Sequence, residues 1–161
     1  MQRQGKVKNL YGKGKERIMY FNLNRFIKAQ ETVYDNALME IKQGYKSSHW
    51  MWFIFPQLEG LGSSYMANFY GIKCLDEARQ YLAHPILGNR LQKITAELLN
   101  HSDKTACEIF GDIDSLKLKS CMTLFDLIAP DDIFNDVLKT FYNGKKDLKT
   151  IHLLNLHNEQ L

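Results

Sequence analysis

The chain has 161 residues, 45% of them apolar, and a formal charge of +3, enough for one domain with a real core. No apolar run approaches the length that spans a bilayer, and no hydrophobic segment follows the charged N-terminus, so the composition excludes a membrane-spanning protein and shows no secretory signal. Three widely separated cysteines, Cys74, Cys107 and Cys121, form no C-x-x-C pair; they argue against a disulfide framework and for a reduced, cytoplasmic protein.

The elements in chain order begin with a charge asymmetry. Residues 1–17 hold six basic side chains (Arg3, Lys6, Lys8, Lys13, Lys15, Arg17) against Glu16, a net +5, and the remainder nets −2. Residues 1–18 therefore read as a basic extension, either disordered or upstream of a true start at Met19. A helical domain over 19–155 and a short tail over 156–161 follow. The near-neutral body disfavours a nucleic acid as partner.

Asn24 is placed to cap a helix running to Gln43, with Phe26, Ile27, Val33, Tyr34, Ala37, Leu38 and Ile41 on one face and Gly44 as its stop. Next comes KSSHWMWFIFPQLEGLG, Lys46 to Gly62. Its apolar run, Trp50 to Phe55, has the composition of a strand as well as of a buried helix. Capping serines at 47 and 48 and the breaker Pro56 select a short buried helix. Ser63 or Ser64 then opens a helix ended by Gly71. Asp76 starts another, broken at His84-Pro85, and a further helix spans Ile86 to Asn100. Thr105 caps a piece ending at Gly111, and Asp112 or Asp114 begins a rod closed by Pro130. Asp131 caps a stripe of Ile133, Phe134, Val137, Leu138, Phe141 and Tyr142 that stops at Gly144, and Asp147 starts the last helix. Connections this short predict an all-α, compact single-domain multi-helix bundle.

Two readings attach to the tryptophan segment. Its aromatics are core and its polar residues only cap it, which is what such clusters usually are. Alternatively, flat aromatic walls meet Lys46, His49 and Gln57 at the mouth of a cleft. On the rod, Lys119, Thr123 and Asp126 form one polar stripe. That stripe either pairs internally or faces solvent, or it delivers a lysine to the cleft for a phosphate or carboxylate. The candidate ligand-binding set is Lys46, His49, Trp50, Trp52, Gln57, Lys117, Lys119 and Ser120. Trp50 and Trp52 would stack a ring, Lys46 and Lys119 would meet an anion, and Gln57 would orient the ligand. His49 is the candidate for proton transfer, although the residues name no reaction.

His152 and His157 are five apart, the wrong interval for two ligands on one helix face, and Asp112-Ile113-Asp114 lacks the rest of a calcium loop. No phosphate-loop, dinucleotide or nucleophile-elbow motif is present. The expectation is therefore no metal, no cofactor, and a small anionic, nucleotide-like ligand. The alternative is a protein-interaction module docking a partner on an exposed tryptophan.

Four strings carry a resemblance: LNRFIKAQ (Leu23–Gln30), KSSHWMWFIFPQLEGLG (Lys46–Gly62), EARQYLAHPILGNRL (Glu77–Leu91) and KLKSCMTLF (Lys117–Phe125). On these the chain resembles the family catalogued as domain of unknown function 1810, sometimes labelled calpastatin-like, over roughly residues 20–155. The resemblance implies a mainly α-helical fold and no established activity or catalytic set. No disordered, inhibitor-like repeat supports the calpastatin label.

Overall fold

The computed structural model describes residues 4–7 and 17–159, with side chains over 19–157. Among them, nine α-helices follow one another. They are α1 (Asn24–Glu31), α2 (Tyr34–Gln43), α3 (Met51–Ile54), α4 (Tyr65–Phe69), α5 (Leu75–Ala83), α6 (Leu87–Leu98), α7 (Ala106–Ile128), α8 (Ile133–Tyr142) and α9 (Leu148–Glu159). The fold is all-α, with one small antiparallel hairpin ahead of it: β1 (Gln4–Val7) pairs with β2 (Arg17–Tyr20), Gln4 opposite Tyr20. Four residues are too few for a period-two pattern to stand out, so nothing in the sequence marks a strand here. The expected disorder of the extension otherwise falls on residues outside those described.

Local chemistry sets most boundaries. Thr105 and Glu108 close a reciprocal capping box at the start of α7. The Ser64 side chain accepts from the Ala67 N–H. Gly44, at φ 79°, ends α2. Three expectations are corrected. The helix over 24–43 is two helices: at the consecutive β-branched residues Thr32 and Val33 the chain turns, Val33 leaves helical geometry at φ −120°, and its N–H donates to the Gln30 carbonyl at 3.1 Å. Asn24 lies inside α1, and Leu23 precedes it as the cap residue without a side-chain bond. Asp132, not Asp131, caps α8, its carboxylate accepting from Ile133 N at 2.6 Å.

The second half of α7 is the axis of the core. Every residue from Ser120 to Asp126 is buried, and α5, α8 and α9 pack around it. Gly111 (φ 81°, ψ 170°) kinks the helix ahead of that half. Where α5 turns into α6, a Cβ at Gly88 would sit 1.9 Å from the Leu82 carbonyl oxygen, so the two helices meet at this closeness only over glycine.

The polar stripe on α7 fastens the connection between α8 and α9. Thr123 Oγ1 accepts from Asp147 N at 2.8 Å, Ser120 Oγ donates to Asp147 Oδ2 at 2.9 Å, and Asp126 pairs with Lys146 at 3.3 Å. Asp147 in turn accepts from Thr150 N and Oγ1 at the start of α9. Thr123 is thus satisfied internally and Lys146 takes the role that spacing alone offered to Lys119, while the second Asp126 oxygen, Oδ1, is buried without a hydrogen-bond partner among the described residues.

Candidate functional site

The tryptophan segment is organised by a residue outside it. Glu40, on α2, is buried, yet its carboxylate collects donors from the next loop. Oε1 accepts from Ser47 N at 2.5 Å, Ser48 N at 2.8 Å and Trp50 Nε1 at 3.3 Å. Oε2 accepts from Asn36 Nδ2 at 2.6 Å and from the Ser48 hydroxyl. Burial by itself would raise the Glu40 carboxyl, but the hydrogen bonds from Ser48, Ser47 and Trp50 outweigh it and bring it down to about 2. The serines therefore bind Glu40 instead of capping α3, which is a single turn with no side-chain cap.

Lys46 ties the same loop to α7. Its Nζ pairs with Asp114 at 2.8 Å, donates to the Ser48 carbonyl at 2.6 Å and lies 4.9 Å from the Trp50 ring centroid. Lys46 N also donates to the Ile109 carbonyl at 2.8 Å. Trp50 is fully buried against Phe55 and Phe110. With one edge on Glu40 and Lys46 beside it, this ring is core, which reduces the two stacking faces expected from the sequence to one.

That face is Trp52, which is half-buried. The Lys117 ammonium lies 5.1 Å from its ring centroid, held by a loose pair with Asp114 at 3.7 Å. Asp114 thus bridges Lys46 and Lys117. Trp52 and Gln57, with Ala67, Tyr70 and Gly71, line a hollow of about 10 Å³, room for little more than a water molecule. His49 is exposed, and among the described residues no hydrogen bond or ion pair engages its side chain. It therefore lacks the orienting partner that an activated acid–base pair requires.

Lys119 and Ser120 stand apart from this group. Residues 117 and 119 project about 200° apart around a helix, so only one of the two lysines can face Trp52. Lys119 lies instead 6.0 Å from the Tyr142 ring, and Ser120 is bound to Asp147. Cys121, beside them, is buried, and burial pushes its thiol well up, which leaves it unreactive. The residues that sequence reasoning missed are Glu40 and Asp114. Each has one partner on its own helix, Asn36 for Glu40 and Lys117 for Asp114, but the contacts that tie down the loop, from Ser47, Ser48 and Trp50 to Glu40 and from Lys46 to Asp114, come from another part of the chain and leave no signal in the spacing along one helix. Among the described residues no three His, Cys, Asp or Glu side chains stand together as a metal site would need, and no helix is long and apolar enough to cross a membrane.

With the fold and this cluster described, the chain can be set beside known proteins. The family described as "Protein of unknown function (DUF1810)" matches residues 20–154. The chain belongs to that family. The DUF1810 chain is also similar to a solved structure, that of the conserved hypothetical protein Rv1873 from Mycobacterium tuberculosis. The two share 45% identity over 84% of this chain and 97% of that one, with a TM-score of 0.82. No curated protein matches it. The DUF1810 match spans the Glu40-anchored loop, Trp52, Asp114 and Lys117, so the cluster lies within the family's own extent.

Proposed function

We propose that this protein binds a small anionic, nucleotide-like ligand on the open face of Trp52. The observation that carries the reading is the Lys117 ammonium 5.1 Å from the half-buried Trp52 ring, with only a loose 3.7 Å ion pair to hold it there. A flat ring can take its place over the indole, and the displaced ammonium is then free to meet the ligand's phosphate. Gln57, at the rim of the adjoining hollow, supplies an amide to orient the ring. Lys46 acts at one remove, by neutralising Asp114 so that this carboxylate does not repel the anion. His49 is exposed and without an orienting partner among the described residues, so this reading assigns it no proton-transfer step.

Calorimetric titration with adenosine and uridine monophosphates tests the reading. Saturable binding is expected, weakened roughly ten-fold or more by Trp52→Ala and by Lys117→Ala, the scale of one lost base stack or one charged contact. Lys119→Ala, which removes an ammonium beside Tyr142, leaves binding unchanged. The absence of heat with either nucleotide, or equal losses from both lysine variants, would remove the basis for this site.

A second reading, a protein-interaction module without catalytic activity, draws on α4. Tyr65 and Phe69 are 76% and 42% exposed and stack on each other at 5.8 Å, an aromatic step facing water. Under that reading the nucleotide titrations are silent, and Tyr65→Ser alters partner capture without touching stability.

A further inference from the structure

The Trp52 cluster is not the molecule's roomiest concavity among those described. Between the loop after α3 and the first turns of α9 lies an open hollow of about 520 Å³, lined by Gly60, Leu61, Leu148, Lys149, His152 and Leu153. That volume is in the range of sites for small organic molecules. None of its lining residues belongs to the Trp52 cluster.

We infer that this hollow binds a small amphipathic carboxylate, its aliphatic chain on the leucines and its head group at Lys149 and His152. Three observations converge on that class of ligand. Leu148 is 77% exposed although it follows directly on Asp147, whose backbone and side chain are both engaged, so an apolar side chain stands bare on a fixed frame at the mouth of the hollow. Lys149 and His152 are one turn apart on α9 and therefore share a rim. Lys149 joins no ion pair among the described residues, and no acidic side chain lines the hollow, so an anion entering it meets uncompensated positive charge. Finally, the loop contributes a residue without a side chain, Gly60, beside the apolar Leu61. Gly60 sits at φ +100°, a backbone conformation that other residues rarely adopt, so this position stays without a side chain. One ammonium and one imidazole suit a singly charged head group, and the leucines require an apolar body behind it.

The test is nuclear magnetic resonance on the isotope-labelled full chain, with octanoate and octanol as matched probes. Octanoate is expected to shift the amide signals of Gly60, Leu61 and residues 148–153 saturably, and octanol to bind at least about ten-fold more weakly for want of the charged contact. Lys149→Glu, a change at an exposed position, should erase the preference for the acid, and Leu148→Ala should weaken both probes. Equal binding of octanoate and octanol would overturn the inference by reducing the hollow to an unselective apolar surface. So would shifts that are absent, or that spread over the molecule without saturating.

Discussion

Glutamine in place of Glu77 is expected to lower the unfolding free energy by about 3–5 kcal/mol, the range for stripping one charge from a buried pair. The Arg25 and Glu77 side chains are 3% and 0% exposed. Every guanidinium donor of Arg25 is occupied: Nε on the Phe69 carbonyl at 2.9 Å, Nη1 on Asn22 O at 2.5 Å and Glu77 Oε2 at 3.1 Å, Nη2 on Gly71 O at 3.0 Å and Glu77 Oε1 at 3.1 Å. Glu77 also accepts from Lys73 N at 2.9 Å. One side chain of α1 thereby gathers the end of α4, the turn after it and α5. Glutamine keeps the shape and removes the charge, so the guanidinium is left buried without a counterion. Against a total stability of roughly 5–15 kcal/mol, the loss is a large fraction. Urea unfolding reads it as a drop in midpoint at constant slope. The double replacement Arg25→Met with Glu77→Met should be milder than Glu77→Gln alone, since it leaves no charge behind. A loss below about 1 kcal/mol for Glu77→Gln would contradict the pair's isolation from water.

The second large effect belongs to Glu40, and it depends on pH. Its folded-state carboxyl is held near 2 against an ordinary value of 4.5, so the folded protein binds that proton less readily than the unfolded chain. The resulting stabilisation is fully present above about pH 4.5 and disappears as pH falls towards 2; a shift of this size corresponds to something on the order of 3 kcal/mol. Glu40→Gln presents an NH₂ group to donors that previously shared two carboxylate oxygens, which strands some of the Ser47, Ser48 and Trp50 N–H groups. Near pH 7 the variant should therefore be less stable by about 2–3 kcal/mol. Below about pH 4.5 the wild type should lose its advantage until the two curves meet. Stability profiles that run parallel from neutral to acid pH would show that Glu40 does not carry this dependence.

The local punctuation of the fold was legible from the residues. Pro56, His84-Pro85, Thr105, Gly111 and Gly44 act within a turn of where they stand, and spacing alone locates them. The break at Thr32–Val33 was not legible, because an apolar stripe continues across it and hides the pair of β-branched residues; the buried Gln30 just before it sends its amide to Phe53 O and Tyr81, partners that lie far along the chain. In the site, Lys46, Trp52, Gln57 and Lys117 were within reach of sequence reasoning because two conspicuous strings contain them. Helical arithmetic alone could have separated Lys117 from Lys119. Glu40 and Asp114 were not within reach, since a carboxylate on a helix looks solvated until the loop it holds is in place. The Leu148 and Lys149 side of α9 was likewise hidden, because its partner surface is the Gly60–Leu61 turn, almost ninety positions earlier in the chain.

The most direct measurement of the central claim is the pair of indole N–H signals in a nuclear magnetic resonance titration with adenosine monophosphate. Trp50 is sealed in the core and Trp52 is half-buried, so the two indoles act as internal control and reporter. The Trp52 signal should move and saturate while the Trp50 signal stays fixed. A Trp52 signal that stays put throughout the titration would contradict the claim that this ring, under the Lys117 ammonium, is where the protein meets its ligand.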